Sequence, residues 1–181
     1  MNKRIIVMKR CVLHSLLSVV FLFCTVSVAA QEESGVIQEV KVGDVSPNFE
    51  YPDRNGKIYS LDDFKGKYVL IDVWATYCGP CKGELPYLEK IQEKLRKKDI
   101  VFVSIATDYD KKVWRQFLEQ HQLKGVQLVM DRKWISFMHR YQIVTIPRYI
   151  LLDREGKIIN SDMPRPSNPE FLKILKSLKG V

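Results

Sequence analysis

Two cysteines three positions apart, Cys78 and Cys81, are the residues whose spacing most directly indicates chemistry in this chain. A thiolate attacks a disulfide sulfur, and a free cysteine is mostly protonated at neutral pH. Cys78 lies where a strand ends and a helix begins, and the unpaired N–H groups and dipole of a helix start favour negative charge. Pro80 suits the first helical turn, where its missing N–H costs little. The pattern therefore predicts dithiol–disulfide exchange, in which Cys78 attacks and the shielded Cys81 resolves the mixed disulfide.

Other uses of the cysteine pair fit the sequence less well. A zinc site needs two more ligands, but only His121 and His139 remain outside the N-terminal segment, and they fall on separate predicted elements. Attachment of a c-type haem requires a histidine directly after the second cysteine, and Lys82 stands there. A disulfide over so short a loop constrains the unfolded chain little. We therefore expect a redox pair with no metal and no bound cofactor.

The first 30 residues have the pattern of a secretory signal peptide. Residues 1–10 are basic, residues 11–30 are largely apolar, and small residues precede a polar stretch near Ala30. We expect cleavage near Ala30, a flexible lead over 31–42, a single domain over 43–181, and export to the periplasm. The apolar stretch is near the length of a membrane span, so an uncleaved anchor that holds the domain on the periplasmic side stays open.

The charge of the chain does not indicate a nucleic-acid partner. There are 29 Lys and Arg against 21 Asp and Glu, and four of the basic residues lie in the predicted signal. Removing those four leaves 25 basic residues, which are scattered among acidic ones rather than gathered into a stripe. A mildly basic, solvated surface follows from this composition.

The hydrophobic pattern along the domain alternates between strand-like and helix-like segments. A nearly continuous apolar run over 68–74 predicts a central strand buried on both faces. Trp114 and Trp134 fall on apolar helical faces and are predicted to be core. The order predicts an α/β fold, with a mixed sheet covered by helices on both faces and an N-terminal hairpin. The predicted strands are 48–51, 57–60, 68–74, 100–106, 126–130, 148–152 and 157–160, and the helices 81–98, 110–121, 134–141 and 168–178.

Three motifs resemble the thioredoxin superfamily, specifically its exported TlpA/ResA-like branch, over roughly residues 42–180. They are the Trp-Ala-x-x-Cys-Gly-Pro-Cys run over 74–81, Pro86 five residues later, and Thr145-Ile146-Pro147 before a strand. Tyr77 stands where members of that branch usually have tryptophan. The resemblance implies a thioredoxin-like three-layer sandwich and thiol:disulfide oxidoreductase activity.

The resemblance also implies roles for residues outside the cysteine pair. Pro147 would be a cis-proline beside the cysteines, although a lone proline before a strand is usually only a turn or edge residue. Ile146 would then present its backbone to an incoming peptide. We count Trp74, Gly79 and Pro80 with these two as substrate-binding residues.

Two acidic residues are candidates for proton transfer. Asp72 interrupts the apolar strand six residues before Cys78, where desolvation disfavours a charged carboxylate. It matches the buried aspartate of thioredoxin and could accept the proton of Cys81. Glu84 matches a glutamate that TlpA/ResA-like proteins keep near the active site, although its sequence context alone also fits an ordinary helix surface. Carrying both acids is a small departure from the branch.

The expected function is reduction of disulfides in protein substrates, since the Gly79-Pro80 dipeptide matches reducing thioredoxins. The resemblance implies a membrane-embedded thiol electron donor and, as one substrate class, cytochrome c apoproteins; we expect a monomer. Two alternatives stay open. A thiol peroxidase of the AhpC/TSA type would carry threonine where Ala75 stands, three residues before Cys78. A non-catalytic binding module could keep the same fold without redox cycling.

Overall fold

The computed structural model describes residues 39–130 and 136–181. The predicted signal peptide and most of the predicted lead lie outside this part of the chain. The strands are β1 (Glu50–Pro52), β2 (Ile58–Ser60), β3 (Tyr68–Trp74), β4 (Ile100–Ala106), β5 (Val126–Val129), β6 (Arg148–Leu152) and β7 (Ile158–Asn160). The helices are α1 (Gly79–Leu95), α2 (Lys111–His121), α3 (Ser136–Arg140) and α4 (Pro169–Lys176), with a 3-10 turn over Leu61–Phe64.

Strands β1 and β2 form the predicted hairpin, a two-stranded sheet of its own. Asp53 closes its turn, because its Oδ1 accepts hydrogen bonds from the amides of Asn55 and Lys57 at 2.8 and 2.9 Å. Phe49 and Tyr51 stack with their ring centroids 5.2 Å apart, and both side chains are fully buried. The hairpin therefore supplies aromatic side chains to the core on one side of the main sheet.

The main sheet has five strands in the order β5-β4-β3-β6-β7. Strands β3, β4 and β5 run parallel, whereas β6 is antiparallel to β3 and to β7. The central strand is buried on both faces: Ile71 and Val73 join the hairpin core, and Leu70 joins a second core with α1 and α4. The predicted mixed sheet with flanking helices is thus confirmed.

The helix termini place the cysteine pair. Helix α1 begins at Gly79, two residues earlier than the sequence pattern predicts, because Cys78 acts as its N-cap. Asp110 caps α2 by accepting hydrogen bonds from the amides of Lys112 and Val113. Trp114 on α2 is buried as predicted, while Trp134 lies outside the described residues. Among residues 39–130 and 136–181, no helix has both the length and the apolar character needed to cross a bilayer.

Candidate active site

The site is centred on a disulfide between Cys78 and Cys81 at the start of α1, with an S–S distance of 2.04 Å. Cys78 Sγ accepts a hydrogen bond from the amide of Cys81 at 3.2 Å. Cys78 is 8% exposed and Cys81 only 2%, so the second sulfur is the more shielded. Gly79 and Pro80 lie between them in the first turn and are exposed. In the reduced protein, Cys78 is thus the outer thiol and Cys81 the inner one.

The loop between β3 and α1 is held by the segment that follows β4. The buried Asp108 accepts hydrogen bonds from both the amide and the hydroxyl group of Thr76. The Thr107 amide donates to the carbonyl of Trp74 at 2.9 Å. The sequence analysis missed Asp108; the available signal was an acidic residue just past β4, because parallel strands bring their carboxyl ends to one edge of the sheet.

The loop before β6 lies against the cysteine pair. The Ile146–Pro147 peptide is cis, as the resemblance implies, and the carbonyl oxygen of Ile146 lies 3.7 Å from Cys78 Sγ. Ile146 and Pro147 are half-buried, whereas Val144 is 89% exposed. Residues 144–147 therefore form one wall of the site that incoming molecules can reach.

Trp74 lies beneath the site rather than at its surface. Its side chain is 1% exposed and packs against Phe117 with the ring centroids 5.4 Å apart. The expected direct contact between Trp74 and a substrate does not agree with this burial, since the end of β3 places the indole in the core shared with Trp114 and Cys81. The exposed aromatic residue next to the cysteines is Tyr77.

Asp72 lies on the face of β3 that α1 covers and is 3% exposed. Its Oδ2 accepts a hydrogen bond from the hydroxyl group of Ser104 at 3.3 Å, and Oδ1 has no hydrogen-bond partner among the described residues. Burial raises the pKa of Asp72 from 3.8 to about 7, because desolvation outweighs the opposing effect of the Ser104 hydrogen bond. Such a carboxyl can take up and release a proton near neutral pH.

Glu84 is buried, so its interpretation as an ordinary surface glutamate is wrong. Its Oε2 accepts a hydrogen bond from the amide of Ser167 at 2.8 Å, and Oε1 one from the Ser167 hydroxyl at 2.9 Å. Burial raises the pKa of Tyr149 above its usual range, and the negative charges of Asp72 and Glu84 raise it further. Glu84 therefore faces the same interior region as Asp72 while tying α1 to the segment before α4.

No metal site accompanies these residues in the part of the chain that the structure describes, where no group of three or more His, Cys, Asp or Glu is placed to hold an ion. His121 stacks on Phe117 with the ring centroids 4.1 Å apart, and His139 lies exposed at the end of α3. Neither histidine is brought to the cysteine pair by a described contact.

This fold, with a cysteine pair at the start of α1 of which Cys78 is the N-cap, defines a thioredoxin-fold thiol-disulfide oxidoreductase. The chain belongs to the Redoxin family, whose model matches residues 41–175. It is 28% identical over 141 residues to the thiol-disulfide oxidoreductase ResA of Bacillus thuringiensis subsp. konkukian. The matched region covers 78% of this chain and 80% of that relative. The similarity to ResA proteins agrees with the TlpA/ResA-like resemblance in the sequence.

Solved structures support the same assignment. A solution structure from Bacteroides vulgatus, to which thiol-disulfide oxidoreductase activity has been ascribed, has 49% sequence identity and a TM-score of 0.67, covering 78% of this chain and 94% of that one. The thioredoxin domain of another Bacteroides vulgatus thiol-disulfide oxidoreductase has 30% identity and a TM-score of 0.70, with coverages of 77% and 98%.

Proposed function

We propose that the protein is an exported disulfide reductant that acts on protein substrates through Cys78 and Cys81. The observation that carries the proposal is the position of Cys78: it caps α1 and lies 3.7 Å from the backbone carbonyl of the accessible cis-proline loop. An attacking sulfur and a backbone that can pair with a peptide are thus side by side. The resemblance to the exported TlpA/ResA-like branch, together with the signal-like first 30 residues, supports export.

The reaction begins from the dithiol. The Cys78 thiolate attacks one sulfur of a substrate disulfide, the substrate S–S bond breaks, and a mixed disulfide with Cys78 forms. Cys81 then attacks Cys78 Sγ, the first substrate sulfur leaves as a thiolate, and both substrate thiolates take up protons from solvent. The substrate gains two electrons and the protein ends as the observed disulfide.

Helix α1 gives the two thiols different reactivities. The amide of Cys81 donates to Cys78 Sγ at 3.2 Å, and a charged sulfur strengthens such a hydrogen bond. The helix dipole further stabilises a Cys78 thiolate. Cys81 is enclosed, so it reacts after the substrate is attached to Cys78. In our proposal Asp72 accepts the Cys81 proton, and Glu84 with its Ser167 hydrogen bonds supports the inner end of the site.

The substrate side of the proposal rests on the loop over 144–147. Its backbone can hydrogen-bond to an extended polypeptide, and the exposed Val144 of this loop and the exposed Tyr77 next to Cys78 in the chain offer apolar contact. Cytochrome c apoproteins are one proposed substrate class. The proposed electron donor is a membrane-embedded protein whose thiols are accessible from the periplasm. An oxidising compartment requires such a donor, because the reductant must be regenerated after each cycle.

The test combines a reduction potential with trapping of the intermediate. Equilibration with a dithiothreitol redox series, read by thiol alkylation, should give a value near the roughly −270 mV of thioredoxin rather than the roughly −120 mV of a strong oxidant. Cys81→Ser should accumulate a mixed disulfide with a disulfide-bonded peptide, whereas the matched Cys78→Ser should not. An oxidant-like potential would overturn the reductant assignment, and faster consumption of hydrogen peroxide than of peptide disulfide would favour the thiol peroxidase.

A further inference from the structure

A row of polar side chains crosses the main sheet beneath α1. In the strand register, Gln127 on β5 is opposite Ser104 on β4, Ser104 is opposite Asp72 on β3, and Asp72 is opposite Tyr149 on β6. Directly opposite residues project from the same face of a sheet. All four are buried, so the polar row runs through the interior from the β5 edge to the active site.

The outer part of this row contains carbonyl oxygens without partners. Gln92 of α1 is 8% exposed and Gln127 is 7% exposed, and neither Oε1 atom has a hydrogen-bond partner among the described residues. The Gln127 amide orientation is fixed, because its Nε2 donates to the carbonyl of Lys124 at 2.6 Å. Buried acceptors of this kind are costly unless a donor reaches them.

A small cavity lies among these groups. Its volume is about 10 Å³, and its polar lining includes Gln92, Ser104 and Gln127, with Glu89 and Lys124 also on its wall. A space of roughly 10–15 Å³ holds one water when about three polar partners surround it. A water there could donate its two hydrogens to the glutamine Oε1 atoms, and it could accept the Ser104 hydroxyl hydrogen whenever that hydroxyl is not donating to Asp72.

We infer that this cavity is a water site, and that the Ser104 hydroxyl and the water carry protons between Asp72 and solvent. When Asp72 is protonated, it passes its proton to Ser104 Oγ while the Ser104 hydroxyl proton moves to the water. The water releases one proton past Glu89 and Lys124, and the hydroxyl then turns back to donate to the ionised Asp72. In net, Asp72 loses one proton and solvent gains one, while Ser104 and the water each gain one proton and lose one. Only O–H bonds form and break.

The inference deepens the proposed function, because it gives Asp72 a way to return the Cys81 proton to solvent. Cys81 packs in the same buried cluster as Trp74 and Leu118, so the cysteine side offers the proton a largely apolar route. Tyr149 on β6 is the titratable group directly opposite Asp72 in the sheet, and the charges of Asp72 and of Glu84 on α1 both act on it. Ser104 is the described hydrogen-bond donor that joins Asp72 to the cavity.

The test measures proton exchange at Asp72 in the oxidised protein, so it does not depend on catalysis. A pH titration of the carbon-13 chemical shift of the Asp72 carboxyl gives the pKa of each variant. The line shape recorded at that variant's own titration midpoint then gives the exchange rate. Ser104→Ala and Gln92→Leu should each slow exchange about tenfold or more, a barrier change that removal of one relay link can produce. Gln116→Leu, an exposed glutamine on α2, is the matched control and should exchange at the unaltered rate.

Two outcomes would overturn the inference. Equal exchange rates in all variants would show that the proton leaves Asp72 by another route, even where the pKa changes. A high-resolution crystal structure with no water between Gln92 and Gln127 would remove the water site. Gln92→Leu leaves the Asp72–Ser104 hydrogen bond in place, so it separates the relay from a simple effect of Ser104 on the acidity of Asp72. Failure of the reductant proposal would leave both measurements unaffected.

Discussion

Replacing Asp72 with asparagine should stabilise the oxidised protein, and the gain should depend on pH. Asp72 is buried beneath α1, and its pKa is raised from 3.8 to about 7 by desolvation. At about 1.36 kcal/mol per pKa unit, this interval corresponds to a cost of about 4 kcal/mol for ionising Asp72 in the folded state. Asparagine has nearly the same shape and carries no charge, so it removes this cost while keeping an oxygen for Ser104.

The sign follows from proton binding in the two states. Below pH 3.8 the carboxyl is protonated in both folded and unfolded chains, so Asp72 costs nothing there. Between 3.8 and about 7 the folded state holds the proton and the unfolded state has lost it, so the free energy of unfolding falls as pH rises. Above about 7 the full cost of about 4 kcal/mol remains, and the advantage of Asp72→Asn is greatest.

Equilibrium denaturation in guanidinium chloride measures this effect, with the disulfide intact and tryptophan fluorescence as the signal. Unfolding free energies at several values between about pH 4 and 8.5 should diverge between the two proteins as pH rises. Glu119→Gln removes an exposed carboxyl from α2 and should follow the parent protein. Parallel stability curves for the parent and Asp72→Asn would refute the argument that Asp72 is ionised against a desolvation cost.

Two further predictions concern hydrogen bonds that hold the site. Asp108→Ala leaves the Thr76 amide and hydroxyl without their acceptor, so we expect a loss of about 1–3 kcal/mol in denaturant unfolding and faster amide exchange at Thr76. Unchanged exchange at Thr76 would contradict this role. Ser167→Ala removes the side-chain donor to Glu84 Oε1 but keeps the hydrogen bond from the Ser167 amide to Glu84 Oε2. Thermal unfolding should therefore show a smaller loss in the free energy of unfolding, about 0.5–1.5 kcal/mol. A loss larger than that of Asp108→Ala would contradict the comparison.

The sequence predicts the elements well because their hydrophobic patterns are local. The apolar run over 68–74 became β3 with the same bounds, and 100–106 became β4 likewise. The start of α1 was predicted two residues late, since apolar spacing does not reveal that the Cys78 sulfur caps the helix.

The contacts that hold the site depend on pairs far apart in the chain. Thr76 and Asp108 are separated by 32 residues, and Glu84 and Ser167 by 83. Each partner alone has an ordinary residue type in an ordinary local pattern. Only the register of β3 with β4 and the packing of α1 beside the segment before α4 bring them together, so no local pattern could predict either pair. For the same reason, the sequence left a surface position open for Glu84 and put Trp74 in contact with substrate, whereas both side chains are buried.

The buried polar row beneath α1 is better explained by proton transfer than by stability. Apolar side chains in place of both Asp72 and Ser104 would fill the same interior without desolvating a polar group, a change that commonly is neutral or stabilising because both hydrogen-bond partners are replaced together. Yet the three occupy successive strands in register, on the face that also carries Cys81's helix. A polar group needed only for local packing has no reason to have buried polar neighbours on the next two strands. A proton that must leave a buried carboxyl requires such neighbours, because each step of its transfer needs an oxygen within hydrogen-bond distance.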